Sequence, residues 1–241
     1  MSELPTAAGD PATRRDELAT SLAAVRGRIE RAMADAGRTD EVTLVVVTKL
    51  FPAGDIDLLA GLGVGDIGEN RDREASAKVA ELAHRDRLRV HFVGQLQTNK
   101  AASVAHYADV VQSVDRARLA RALDRAATAS GRVLDVTVQV RLDDAEGRGG
   151  VGPDEAPALA DLVAGSSSLR LRGLMAVAPL GADPRPAFAR LRGVADGIRA
   201  DHPDATWVSA GMSGDLEAAL AEGATHLRVG SAILGSRPSH R

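Results

Sequence analysis

Only three of the thirty basic residues in this chain are lysines, Lys49, Lys78 and Lys100, so any chemistry through an amine must use one of them. Lys49 follows VTLVVVT (residues 42–48), the most apolar run in the sequence, and precedes Leu50, Phe51 and Pro52. A lysine ending a buried strand points into a poorly solvated mouth. Desolvation there disfavours the ammonium and leaves the neutral amine that a Schiff base requires. A lysine whose stem runs to the rim beside a carboxylate such as Glu69 fits the same position. Lys100, in Gln97-Thr98-Asn99-Lys100, opens a helix on the same rim and is the rival candidate, whereas Lys78 falls on an amphipathic helix and is expected to be solvated. With lysine this scarce, Lys49 is the residue to which amine chemistry is assigned.

A second chemistry is written in two small-residue turns. Ser209-Ala210-Gly211-Met212-Ser213 leaves one apolar run, and Arg228-Val229-Gly230-Ser231 leaves the next. Small residues let backbone N–H groups approach an anion, and a helix that follows adds partial positive charge. Either turn alone reads as a tight connection with Ser213 as a helix cap; two on neighbouring loops point to phosphate. Asp215 and Glu217 then stabilise their own helix. Arg228 stands between Leu227 and Val229, where a buried guanidinium needs acceptors; an ion pair and a bound ligand would both supply them. The six histidines show no paired metal spacing, and His91 and His226 read as packing residues inside strands. Asp143, Asp144 and Glu146 before Gly147-Arg148-Gly149-Gly150 lack the spacing of a calcium loop and read as a solvated or gating segment, so no metal site is expected.

These groups need a scaffold, and the rest of the chain supplies one. Asp10-Pro11 reads as a cap and a first helical position, and Leu18, Leu22, Val25, Ile29 and Met33 form one stripe of a helix over 10–37 closed by Gly37. Apolar runs follow at 42–48, weakly around Gly65-Asp66-Ile67, and at 89–94, 109–114, 134–140, 169–177, 206–211 and 226–230, with Ala-, Leu- and Arg-rich helical segments between them. Strands that are apolar on consecutive positions are buried on both faces. Eight of them alternating with helices predict an α/β fold, a single (β/α)8 TIM-type barrel with an extra N-terminal helix. Residues 1–9 and 236–241 read as tails of one domain spanning 10–235. A net charge of -3 and five aromatic residues argue against a nucleic-acid binder, and the absence of cysteine excludes disulfides and thiolate chemistry. No apolar run approaches the roughly 20 residues of a membrane span, so a cytoplasmic protein is expected.

The motifs VVVTKLFP, IGENRDRE, HFVGQLQTNK, SVD (113–115), GLM (173–175) and SAGMSGDLEAALAEGATHLRVGSAILG, in this order over residues 42–235, resemble the YggS/PROSC family of pyridoxal 5′-phosphate (PLP) homeostasis proteins. That family has a barrel similar to the N-terminal domain of alanine racemase. The resemblance implies that Lys49 forms an internal aldimine with PLP, that Ser209, Gly211, Gly230 and Ser231 hold the phosphate, that Arg228 faces the pyridine nitrogen, and that Asn70, Met175 and Met212 line the pocket. Two positions depart from the usual pattern: Ala210 where Met is common, and Leu50 where a polar residue often follows the lysine. A pyridine facing an arginine stays an unprotonated acceptor and is a weaker electron sink. The one tyrosine, Tyr107, precedes the fourth strand and is expected at the barrel's N-terminal face, away from Lys49, and no further domain is expected beyond 235 to supply another. The expected function is therefore to buffer or deliver PLP with little or no turnover, with PLP-dependent apoenzymes as possible acceptors and a monomeric or weakly dimeric state. The alternatives are a minor amino-acid racemase using Lys49 as sole base and a Schiff-base aldolase on a phosphorylated substrate.

Overall fold

The computed structural model describes residues 11–143 and 149–235. Asp10, both tails, and Asp144, Glu146, Gly147 and Arg148 lie outside the described residues. The first helix, α1 (Pro11–Asp35), buries Leu18, Leu22, Val25, Ala32 and Met33, with Ile29 packed at the edge of the same stripe. Gly37 ends it at φ +63, a left-handed conformation open to glycine, and the Arg38 amide closes back onto Met33 O at 2.9 Å.

Eight parallel strands then close into a barrel in sequence order: β1 (Thr43–Val47), β2 (Asp66–Glu69), β3 (Arg89–Phe92), β4 (Val110–Val114), β5 (Leu134–Gln139), β6 (Leu169–Met175), β7 (Trp207–Ser209) and β8 (His226–Val229). Closure is made by β1 against β8, with Val45 beside Arg228 and Val46 beside Val229. Outside lie α2 (Ala53–Gly61), α3 (Asp72–Glu81), α4 (Ala101–Tyr107), α5 (Ala117–Ala129), α6 (Ala156–Ala164), α7 (Arg185–Asp201), α8 (Leu216–Ala221) and α9 (Ser231–Leu234). The weakest expected strand, around Asp66-Ile67, is β2, complete with pairing to both neighbours. Among the described residues no helix is long and apolar enough to cross a membrane.

Two-residue alternation along each strand sorts side chains between two cores. Val46, Ile67, Val90, Phe92, Val111, Val136, Val138, Val208, Leu227 and Val229 face the helices in one continuous apolar core. The opposite set points into the barrel and mixes apolar residues such as Val45 with a polar group, His91, Gln112, Ser209, His226 and Arg228, all buried there. At the base, Trp207 packs against His226 in a tilted pair with 4.2 Å between ring centroids, and Arg89 and Arg172 lie 5.1 and 4.8 Å from its ring. The tryptophan therefore closes the N-terminal end of the lumen.

Candidate functional site

At the C-terminal mouth a cavity of about 460 Å³ opens between the first two and the last two strands. That is within the roughly 300–1,000 Å³ of small-ligand sites. Its walls include Lys49, Phe51, Asn70, Met212, Ser213, Gly214, Arg228, Gly230 and Ser231. Lys49 reaches it by the alternation of β1: Val45 and Val47 face inward, Val46 and Thr48 outward, and Lys49 continues the inward series. Asn70 continues β2 in the same way after Gly68.

The two small-residue turns meet on one side of this cavity. The Ser213 and Ser231 hydroxyls lie 3.3 Å apart, and the Ala232 amide donates to Ser213 Oγ at 3.4 Å. Among the described residues, no backbone–backbone hydrogen bond outside the helices and strands engages the amides of Ser213, Gly214, Gly230 and Ser231. Helices α8 and α9 span only six and four residues, so attraction for an anion comes from these peptide groups and not from a helix macrodipole as the sequence reading supposed. From behind, Arg28 of α1 donates to Ser213 O at 3.1 Å and pairs with Glu217 at 2.8 Å. With that carbonyl turned toward α1, the planar trans peptide directs the Gly214 N–H the opposite way, toward the cavity. Gly211 sits at φ +90, where a Cβ would lie 2.6 Å from Ala219 Cβ, so the turn packs against α8 only as glycine.

Arg228 forms the floor. It is buried, and desolvation lowers its pKa to about 10, which still leaves it charged at neutral pH. Its guanidinium donates to Ala176 O at 2.7 Å and to Ser209 Oγ at 2.6 Å. Ser209 in turn donates to Gln112 Oε1 at 2.7 Å. The Gln112 amide then bonds His91 Nδ1, and His91 Nε2 bonds Asp66 Oδ1, both at 2.8 Å. Arginine only donates, so every link has a defined direction: Gln112 donates to Nδ1, and neutral His91 donates through Nε2 to Asp66. Burial holds the His91 pKa low despite Asp66, in keeping with a neutral ring.

A second network lies outside the barrel, under the Lys49 turn. Lys78, expected in solvent, is buried: its ammonium lies 2.6 Å from Glu69 Oε1 and 3.0 Å from Glu74 Oε1, and donates to Thr48 O at 2.9 Å. The expectation failed because the polar face of α3, with Glu74 one turn before Lys78, lies over the Glu69 carboxylate of β2. Glu69, offered as a partner for Lys49, therefore belongs to Lys78 and also accepts from Thr48 Oγ1 at 2.6 Å. The Leu50 amide donates to Glu74 Oε1 at 2.5 Å, and Leu50, at φ 69, is the only non-glycine residue with positive φ among the described residues.

Of the residues picked from the sequence, Lys49, Asn70, Met212, Arg228, Gly230 and Ser231 border the cavity, while Ser209, Gly211 and Met175 do not. Ser209 lies beneath Arg228 with its hydroxyl engaged by two partners, and Met175 is buried at the end of β6. Ser213 and Gly214 border the cavity instead, one turn further along the same small-residue loop. Lys100 is half exposed, 3.7 Å from Asp72, and is not a wall residue. Tyr107 needs a partial correction. It ends α4, but helical side chains lean back toward the helix N-terminus, and its buried hydroxyl is pushed up in pKa by burial and by Asp72 and Glu69. The hydroxyl thus reaches up the wall toward Asp72, while the carbonyl, accepting from Arg85 ahead of β3 at 3.0 Å, stays at the barrel's N-terminal end, and the residue does not border the cavity. Gln112 carried no sequence signal beyond being a polar residue in an apolar strand.

Residues 20–238 match the family described as alanine racemase, N-terminal domain. A protein of Mycobacterium tuberculosis named pyridoxal phosphate homeostasis protein is 44% identical over 93% of this chain and 94% of its own length. One of Escherichia coli with the same name is 36% identical, over 92% and 97%. The structure of PipY from Synechococcus elongatus with PLP bound superposes with a TM-score of 0.80 at 35% identity, covering 90% of this chain and all of that one.

Proposed function

The chain belongs to the alanine racemase N-terminal domain family and, within it, to the pyridoxal phosphate homeostasis proteins, and from that membership we propose that it binds PLP at the mouth of the barrel and holds it without turning over substrate. The residues fit the cofactor: the small-residue turns of Ser213, Gly214, Gly230 and Ser231, with two serine hydroxyls, border the same cavity as a lysine and a buried guanidinium. Bound there, PLP would supply an aldehyde for an amine and a conjugated ring that accepts electrons.

In this reading Ser213, Gly214, Gly230 and Ser231 bind the phosphate, Lys49 presents its amine to the aldehyde, and Asn70 and Met212 flank the ring. Arg228 has five N–H donors, of which Ser209 and Ala176 occupy two, and offers another to the pyridine nitrogen. Because Arg228 keeps its proton, that nitrogen remains an acceptor and the ring a poor electron sink. Ser209 acts one step back, fixing Arg228, and Gly211 and Met175 support the turn and strand from below. Delivery to PLP-dependent apoenzymes in the cytoplasm, and a monomeric or weakly dimeric state, belong to the same reading.

One observation carries the non-catalytic half. Among the described wall residues the only ionisable side chains are Lys49 and Arg228. Racemisation needs a proton-transfer group on each face of the substrate, and an arginine that never releases its proton is not the second one. The test is spectroscopic. Protein incubated with PLP gains a visible absorption band that Lys49→Ala removes; protein that stayed colourless would end the PLP reading. Rapid Lys49-dependent exchange of the alanine α-proton in deuterium oxide would convert the holder into a racemase.

A further inference from the structure

We infer that Glu74 and Lys78 are positioning residues for Lys49: together they hold the two peptide groups on either side of its Cα and so fix the direction of its side chain. The inference rests on the PLP reading of the cavity and adds a device that family membership does not specify. Lys49 is joined to its neighbours by two peptides. The first contributes the Thr48 carbonyl, which accepts from Lys78 Nζ at 2.9 Å. The second contributes the Leu50 amide, which donates to Glu74 Oε1 at 2.5 Å. Both partners lie on α3, one turn apart, and are joined to each other at 3.0 Å. The cluster is tied to the barrel by Glu69 of β2, which accepts from Thr48 Oγ1 and pairs with Lys78.

Fixing both peptide planes determines φ and ψ of the residue between them, and with them the Cα–Cβ direction. The price of this geometry falls on Leu50, which is held at φ 69. A leucine does not choose that conformation; it persists because the surroundings over-determine it, and such strain collects at functional positions. What the kink does is end the β1 path so that Lys49 stays at the cavity wall. Neither Glu74 nor Lys78 borders the cavity, so they act through the backbone on either side of Lys49.

Glu74 is the better residue to test, because Lys78→Met strands the buried Glu69 and endangers folding. PLP binding is measured by equilibrium dialysis and by borohydride trapping of the covalent link, in Glu74→Ala and Glu74→Gln, each with Lys49 present and in a Lys49→Ala background. With Lys49 present, Glu74→Ala is expected to weaken binding and covalent trapping by about tenfold, the scale of one charge-assisted hydrogen bond. Glu74→Gln, whose amide oxygen still accepts from Leu50, stays within about twofold of the parent. In the Lys49→Ala background Glu74→Ala changes nothing. Equal weakening in both backgrounds would mean general damage to the site and would overturn the proposal, as would no change in either. The Leu50 amide gives a readout that needs no PLP: its hydrogen exchange accelerates in Glu74→Ala, and an unchanged rate refutes the brace even if the cavity binds something else.

Discussion

Two polar networks converge on the cavity, one inside the barrel and one in its wall, and they are built on opposite lines. The inner chain carries charge only at its ends, Arg228 at the mouth and Asp66 at the base, with Ser209, Gln112 and neutral His91 between. The wall cluster packs one cation against two carboxylates within 3.0 Å. Burial pushes the Glu69 pKa up against the pull of Lys78, while for Glu74 the Leu50 amide and Lys78 outweigh burial and hold it low. A neutral chain transmits orientation while each link tolerates the low dielectric. An ionic cluster fixes backbone, but every member depends on the others. The cofactor-facing cation is therefore aimed by neutral groups, and the lysine is aimed by ions that never reach the cavity.

The comparison predicts unequal losses. Lys78→Met leaves Glu69 buried and uncompensated and is expected to cost about 3–5 kcal/mol in denaturant unfolding. The sign of its pH dependence is set by Glu69. With its folded pKa raised above the unfolded one, the folded state takes up the proton first, so the deficit shrinks as pH falls through that folded pKa. A loss below about 1 kcal/mol would mean that the wall is no more ionic than an exposed pair. Gln112→Leu, by contrast, removes two neutral bonds and leaves Ser209 and His91 each with a remaining partner; about 1–3 kcal/mol is expected. With PLP bound, its spectrum should shift because Arg228 loses the chain that orients it, and an unshifted spectrum would reduce the inner network to packing.

The barrel was legible because its strands are apolar on consecutive positions, and even β2, marked only by Gly65-Asp66-Ile67, pairs on both sides. The site was legible where one residue type is scarce or odd in its setting: Lys49 among three lysines, Arg228 inside an apolar strand, glycines after β7 and β8. It was not legible where function depends on what lies across the sheet from a residue. Lys78 reads as solvent-facing by helical periodicity, and although Glu74 one turn back is a local partner, nothing local announces Glu69 opposite it. Ser209 and Ser213 are both serines of one small-residue loop. Which of them borders the cavity depends on strand alternation and on where β7 ends, and boundaries are what sequence patterns define least.

Acid sharpens the contrast from the base of the barrel. Burial, with neighbouring His91, depresses the His226 pKa to about 3, and burial lowers His91 as well. Below an unfolded-state value of about 6.5 the unfolded chain binds protons that the folded one refuses, so stability falls on acidification, and for His226 the fall runs from there toward pH 3 at about 1.4 kcal/mol per pH unit. His226→Phe keeps a ring against Trp207 and should reduce that slope by one proton between pH 6.5 and 4. An unchanged slope would mean that His226 is already protonated in the folded barrel.

The smallest expected effect tests the strain. Leu50→Gly removes the steric penalty of φ 69, about 1–2 kcal/mol for an L residue. It adds about 0.5–1 kcal/mol of unfolded-chain entropy. The net gain in the intact protein therefore lies between zero and about 1.5 kcal/mol. If the Glu74 bond enforces the kink, Leu50 relaxes to negative φ once that bond is gone, and glycine then has no strain left to relieve. A double-mutant cycle of Leu50→Gly with Glu74→Ala should accordingly show the gain with Glu74 present and its loss without it. Strict additivity would locate the origin of the kink in the Phe51-to-Thr48 turn, closed at 3.1 Å, and leave Glu74 as a follower of a geometry set elsewhere.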